Sequence, residues 1–292
     1  MIVNSTNMVK QAYSQHYAIA AFNVNNLEWA KAILLAAQEA QAPVILQVTA
    51  GAAHYMGSFR LAYDLIVDLH QALHITVPVA IHLDHGGYTD VLKTLGVGYT
   101  SVMFDGSSLK LTENIKLTDQ IVKLAKPQAV TVEAEVGTIG GQEDGTIAQG
   151  ELASLNEAIA MAKTGVDMLA LGIGNIHGPY PDNWEGLNLA HLRTLATGIE
   201  DAIKEPLPLV LHGGSGIPDD QIKAAIQLGI AKINVNTEGQ LAFHEAMRDY
   251  VLSGQDLVGK NYDPRRFLQP GLTAIKEMCL DRIRVFGSAN RV

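Results

Sequence analysis

His85, His177 and His212 are the residues of this chain whose type best suits metal chemistry. Three neutral imidazoles with a fourth position left open form a catalytic zinc arrangement. No HxH or HExxH element brings them together locally, so only a fold that gathers distant segments can do so. The chain has ten histidines. His16, His54, His70, His74, His191 and His244 lie in helix-like or loop stretches, where solvated or structural roles suit them.

The elements that must position these side chains follow from periodicity. Eight short apolar, β-prone segments recur, at 18–24, 43–49, 78–84, 101–105, 129–136, 168–174, 207–213 and 232–238. Between them the apolar spacing lengthens to three and four, as in 27–41, where Asn26 is placed to cap a helix. Strands alternating with helices imply parallel βαβ units, and eight of them in under 300 residues fit an α/β, (β/α)8 TIM barrel. A doubly wound open sheet is the structural alternative. No domain boundary is evident, so residues 1–292 read as one barrel domain, with a loop at 261–270 before an extra C-terminal helix at 271–286.

Side chains alternate across a strand, so each segment sorts its residues by face. In the fifth, Val130, Val132, Ala134 and Val136 face the outer helices, while Thr131, Glu133 and Glu135 point into the barrel. In the third, His82 and Asp84 point inward. In the eighth, Asn234 and Asn236 do. Buried carboxylates are costly unless paired, hydrogen-bonded or on a metal. His85 follows the third strand, Asp105 ends the fourth, His177 follows the sixth and His212 ends the seventh. Polar side chains thus collect at the C-terminal rim, where this fold carries its active sites. Two small-residue turns join them, HGGSG at 212–216 and NVNTE at 234–238, each leading into a helix. Helix N-termini and close backbone N–H groups suit a phosphate.

Composition excludes other classes. Apolar residues make up 48% of the chain and charged ones 17%, unlike a disordered protein. A net charge of −9 argues against nucleic-acid or anionic-membrane binding. The N-terminus lacks the regions of a signal peptide, and no apolar run approaches the ~20 residues of a membrane span. The single Cys279 suits a reducing compartment. A cytoplasmic protein is expected.

HLDHG at 82–86, SVMFDGS at 101–107, VEAEVGTIGGQEDG at 132–145, GNIHGPYP at 174–181, LHGGSGIP at 211–218, KINVNTE at 232–238 and YDPRRF at 262–267 together carry a resemblance. In order and spacing the chain resembles the class II, metal-dependent fructose-1,6-bisphosphate aldolases along nearly its whole length. The resemblance implies reversible cleavage of the sugar bisphosphate to dihydroxyacetone phosphate and glyceraldehyde 3-phosphate. It implies Asp84 as catalytic acid/base and Glu143 as a loop acid acting on the three-carbon fragment. His85, His177 and His212 match the ligands of a catalytic Zn2+, and Asp105 and Glu135 a second or alternate divalent position. A monovalent cation stays open beside them. Gly178, the turn Gly213, Gly214, Ser215 and the turn Asn234, Val235, Asn236, Thr237 match the dihydroxyacetone-phosphate site. Asn23, Thr49 and Arg265 match contacts at the other end of the substrate. Arg265 would come from a neighbouring subunit of a homodimer or homotetramer.

Two departures concern that other end. Pro181 and a DNWEG segment follow HGPY where many relatives carry lysine, and Ser108 stands where histidine is frequent. A sibling aldolase acting on tagatose 1,6-bisphosphate is the nearest alternative, since the two sugars differ only at C4. A metal-dependent hydrolase barrel would need ligands on the first strand, which offers only Asn23 and Asn25.

Overall fold

Eight parallel strands close into a barrel: β1 (Ile19–Asn23), β2 (Val44–Val48), β3 (Val79–Gly86), β4 (Ser101–Phe104), β5 (Thr131–Val136), β6 (Met168–Leu171), β7 (Leu209–Leu211) and β8 (Ile230–Val235). Each pairs with the next in the chain, and β8 returns to β1 with Asn234 opposite Ala21. The computed structural model describes the backbone of residues 1–143 and 146–292 and the side chains of residues 1–141 and 149–292. The expected barrel is therefore present, and the open sheet is not.

Alternation sorts the core as expected. Val79, Ile81, Leu83, Val132, Ala134, Ile233 and Val235 join the apolar layer between barrel and helices. Helix starts follow local chemistry: Asn26 Oδ1 accepts the Trp29 N–H at 3.0 Å and caps Leu27–Glu39. The C-terminal helix, Gln269–Val285, buries Leu272, Ile275, Cys279 and Ile283 against Leu27–Glu39 and Thr237–Leu252. Gly271 is required there, because a Cβ would collide with the Phe243 ring.

Several boundaries differ from expectation. The sixth strand stops at Leu171 and the eighth at Val235, since Thr237 already begins a helix. The 261–270 segment is not all loop. Pro264–Phe267 forms a short helix, with proline in its first turn and Asp263 accepting the Arg265 N–H. A three-stranded sheet of Gly140–Glu143, Thr146–Ala148 and Ile176–His177 sits beside the barrel.

The floor of the barrel is closed by an element the periodicity did not announce. Helix Thr6–Ser14 turns Met8, Val9 and Ala12 toward Ile19, Ile45, Met168 and Val210, forming a second apolar cluster inside the sheet. Ser5 donates its N–H to Thr131 Oγ1 at 3.0 Å and its hydroxyl to Ser101 at 3.0 Å, fixing the helix start against two strands. The inward side therefore has an apolar floor and a polar upper layer. No helix among the described residues is long and apolar enough to cross a membrane.

If this helix is a structural plug, Val9→Ala should cost about 2 kcal/mol in equilibrium denaturation, from two lost methyls and the space they leave. Lys10→Ala, on the exposed side, should stay within about 0.5 kcal/mol of wild type. Equal effects at both positions would show that the helix only decorates the barrel.

Candidate active site

The C-terminal end of β3 departs from strand geometry. Its register with β4 shifts between Leu83 and Gly86, and His85 takes φ 48°. In a regular strand Asp84 and His85 would point to opposite faces. The left-handed residue turns the chain so that both side chains reach the barrel mouth. Gly86 must follow, because a Cβ would collide with the Leu83 side chain and sit 3.0 Å from the Met103 carbonyl.

His85, His177 and His212 offer ring nitrogens that all lie within 4.8 Å of one another. His85 Nε2 and His212 Nδ1 are 2.9 Å apart. Zinc–nitrogen bonds in a tetrahedral site place ligand nitrogens about 3.3 Å apart, so small shifts would accommodate an ion. The far nitrogens of two rings are already engaged: His85 Nδ1 with Asp105 Oδ2 at 2.9 Å and His212 Nε2 with Glu133 Oε1 at 2.8 Å. A carboxylate at one nitrogen holds the proton there and leaves the other lone pair for a metal. A second group, His85 with Asp105 and Glu135, has the same span, and buried Glu135 Oε2 has no hydrogen-bond partner. The residues fit a metal.

Electrostatics describe the same need. Burial opposes charge on His85, yet Asp84, the Asp105 hydrogen bond and Glu135 outweigh it and hold its pKa at about 10. Burial and the His85 charge push His177 down to about 3, and they push His212 well below its ordinary value. Burial and the neighbouring Asp105 raise Glu135 to about 8. Burial also opposes charge on Asp105, but hydrogen bonds from His85 and Ser107 hold its carboxyl well below the usual range. Asp84, Asp105 and Glu135 thus favour positive charge at this cluster, the kind of charge a bound cation would supply.

Asp84 is held as an oriented carboxylate. Asn23 Nδ2 and Gln47 Nε2 donate to its Oδ2 at 2.9 and 3.0 Å, and Asn234 Nδ2 donates to Oδ1 at 3.1 Å. Beneath it, fully buried Lys232 Nζ donates to Asn234 Oδ1 at 2.7 Å and lies 2.9 Å from Glu133 Oε2. Gln47 was not among the sequence candidates. The alternation that places Val44, Leu46 and Val48 outward points it inward, so the signal was present.

The two turns stand over this group. Gly213 has φ +63°, and a Cβ there would strike the Ile176 carbonyl. Gly214 donates its N–H to the Asn234 carbonyl at 2.9 Å, and Ser215 Oγ accepts the Glu238 N–H at 3.1 Å. The turn after β7 is therefore stitched to the start of helix Thr237–Leu252. Gly178, Gly213, Ser215, Asn236 and Thr237 line one cleft with Asn23, Asp84 and His177.

The remaining candidates are held differently. Val235 buries its side chain in the outer core, leaving only backbone for a ligand. Thr49 Oγ1 accepts the Ala52 N–H at 3.1 Å and caps Ala50–Met56. The Arg265 guanidinium is exposed and paired with Asp263 Oδ2 at 2.6 Å, clear of the cleft lining. The Glu143 side chain lies outside the described residues. Its strand runs beside Ile176–His177, with Gly141 opposite His177.

The chain is similar to known proteins along its length. A family model described as class-II fructose-bisphosphate aldolase matches residues 3–291. A fructose-bisphosphate aldolase of Streptococcus pyogenes serotype M3 is 54% identical over 99% of both chains. One of Streptococcus pneumoniae serotype 4 is 53% identical over 99% of both. The crystal structure of the YdjI aldolase of Escherichia coli K12 superposes with a TM-score of 0.82 at 33% identity, covering 100% of this chain and 99% of that one. With three imidazoles converging beside a buried aspartate on a closed barrel, and a match along its whole length, the chain belongs to the metal-dependent class II fructose-bisphosphate aldolase family.

Proposed function

We propose that this chain is a single-domain class II aldolase that reversibly cleaves fructose 1,6-bisphosphate to dihydroxyacetone phosphate and glyceraldehyde 3-phosphate in the cytoplasm. The observation that carries the reading is the gathering of the His85, His177 and His212 ring nitrogens within 4.8 Å, beside a carboxylate held by three amides. A zinc ion on those three histidines would supply Lewis-acid polarisation of the substrate's ketone. Asp105 and Glu135 would hold a second divalent ion or an alternate position of the first. Asp84 would take the C4-hydroxyl proton in cleavage and return it in condensation. Its amide partners keep it oriented without neutralising it. The 213–215 and 234–237 turns, with the helix that starts at Thr237, would hold the phosphate of the three-carbon half. Asn23 and Thr49 would meet the other half. Glu143 would return a proton to the dihydroxyacetone-phosphate half before it leaves. Arg265, exposed and clear of the cleft lining, suits delivery to a neighbouring copy in a homodimer or homotetramer.

A lysine-based covalent mechanism finds little support. Lys232 is fully buried and ion-paired with Glu133, so its amine is neither exposed nor free to attack a carbonyl. The names of the curated relatives favour fructose over tagatose.

Exhaustive chelation should abolish cleavage and added Zn2+ should restore it. Activity that survives chelation but is lost on borohydride reduction with substrate would sink the metal reading. Asp84→Ala should keep bound metal, measured by elemental analysis, and lose ~10²–10⁴-fold in turnover. Near-normal turnover would remove Asp84 from its role. A coupled assay should show the larger kcat/KM with fructose 1,6-bisphosphate, and a preference for the tagatose sugar would reassign the substrate.

A further inference from the structure

The reaction as described gives residues 180–184 no task. They include Tyr180, Pro181 and Trp184. The Tyr180 hydroxyl donates to the Gly213 carbonyl at 2.8 Å and accepts the Ile176 N–H at 3.2 Å. Those two residues are the one just before His177 and the one just after His212. One hydroxyl therefore bridges the loops that bear two of the three histidines, at the turn proposed to take phosphate. The loops also touch directly, since a Cβ on Gly213 would strike the Ile176 carbonyl. Asn175 adds a further tie, donating from Nδ2 to the His212 carbonyl at 3.0 Å.

Trp184 backs the tyrosine. The two ring centroids are 4.1 Å apart, and Trp184 Nε1 donates to the Gly174 carbonyl at 2.8 Å. The Trp184 N–H donates to the Pro181 carbonyl at 2.9 Å, closing a turn. Downstream, Leu187 donates its N–H to Gln221 Oε1 at 2.8 Å, which anchors the segment to helix Asp219–Ile226. Tyr180 also abuts the glycine turn, with a Cβ on Gly216 falling 3.5 Å from Tyr180 Cδ2. Burial raises the Tyr180 phenol, so it stays a neutral donor.

A ketose phosphate presents its carbonyl and its phosphate at a separation set by covalent bonds. A site that holds both must keep its own two halves at that separation, and slack between them is lost orientation. We propose that Tyr180, buttressed by Trp184, is a positioning residue that holds the phosphate-binding turn in shape and at a fixed spacing from the His177–His212 group. Pro181 and Trp184 then serve rigidity, through the turn that the Trp184 N–H closes. The inference rests on the aldolase reading above for the identity of the phosphate ligand.

The test uses metal-loaded protein. Tyr180→Phe removes one hydroxyl and keeps the ring. KM for fructose 1,6-bisphosphate and the dissociation constant of inorganic phosphate, read by Trp184 fluorescence, should both rise about tenfold, the loss expected for one buried hydrogen-bonding group. Metal content should remain that of wild type, and kcat should fall less than KM rises. Trp184→Phe, with phosphate binding read by calorimetry, should shift the same two constants in the same direction by a smaller factor. If Tyr180→Phe lowers thermal stability but leaves either constant at the wild-type value, the residue is merely structural and the proposal is overturned. Were wild-type protein to cleave no ketose bisphosphate, the aldolase reading would fall, while the phosphate titration would still decide the clamp.

Discussion

Glu133 and Lys232 meet at 2.9 Å inside the barrel, and no solvent reaches either. The contact is one of charges rather than a directed hydrogen bond, since Glu133 Oε2 has no hydrogen-bond partner. Removing one member of such a pair strands the other charge and typically costs about 3–5 kcal/mol. Each member also holds one half of the site. Glu133 Oε1 takes His212 Nε2, which turns His212 Nδ1 toward His85. Lys232 takes Asn234 Oδ1, which turns the amide nitrogen of Asn234 toward Asp84. The orientation of a metal-type ligand and of a carboxylate base therefore depends on one ion pair below both. A polar layer of this kind needs a fold that removes water without exposing strand edges, and a closed parallel barrel does so.

The groups above that layer are held by backbone in unusual conformations. His85 sits at φ 48° and Gly213 at φ +63°. A left-handed non-glycine residue costs on the order of 1–3 kcal/mol and persists only where its surroundings over-determine it. For His85 they do: β3 pairs with β4 on one side, Gly86 removes a collision, and Asp105 holds the ring. The apolar floor supplied by helix Thr6–Ser14, and the outer layer of Val, Ile and Leu, offset strain and buried polarity at the rim.

Strand alternation made much of this legible from sequence. Eight apolar segments became eight barrel strands, and a period of two separated Glu133 and Glu135 from Val132 and Ala134. The same rule does not reach His85, which the pattern places just after the third strand, whereas β3 runs on to Gly86 and its parity there would send His85 outward. Only a register shift, which periodicity does not encode, brings it in. Helix Thr6–Ser14 was missed because three buried residues, Met8, Val9 and Ala12, make too short an apolar stripe to stand out. Tyr180 was passed over for a related reason. Its contacts reach back to Ile176 and forward to Gly213, and the second partner lies on another loop that only the closed barrel brings near.

Charge poses the remaining problem of recognition. The chain carries a net charge of −9, and its proposed substrate bears two phosphates. Among the described residues lining the cleft none is lysine or arginine, and Asp84 adds a negative charge. Attraction must then come from dipoles and from a bound metal rather than from side-chain cations. The start of helix Thr237–Leu252 and the small-residue turns provide such dipoles over the metal-type group. Neutral donors suit this place, since a fixed cation there would compete with the histidines for the carboxylates they need. At the far end of the substrate, Pro181 offers no charge. On the proposed reading Arg265 is the charge left to meet that phosphate, and its pairing with Asp263 keeps the guanidinium at the surface until a neighbouring site takes it.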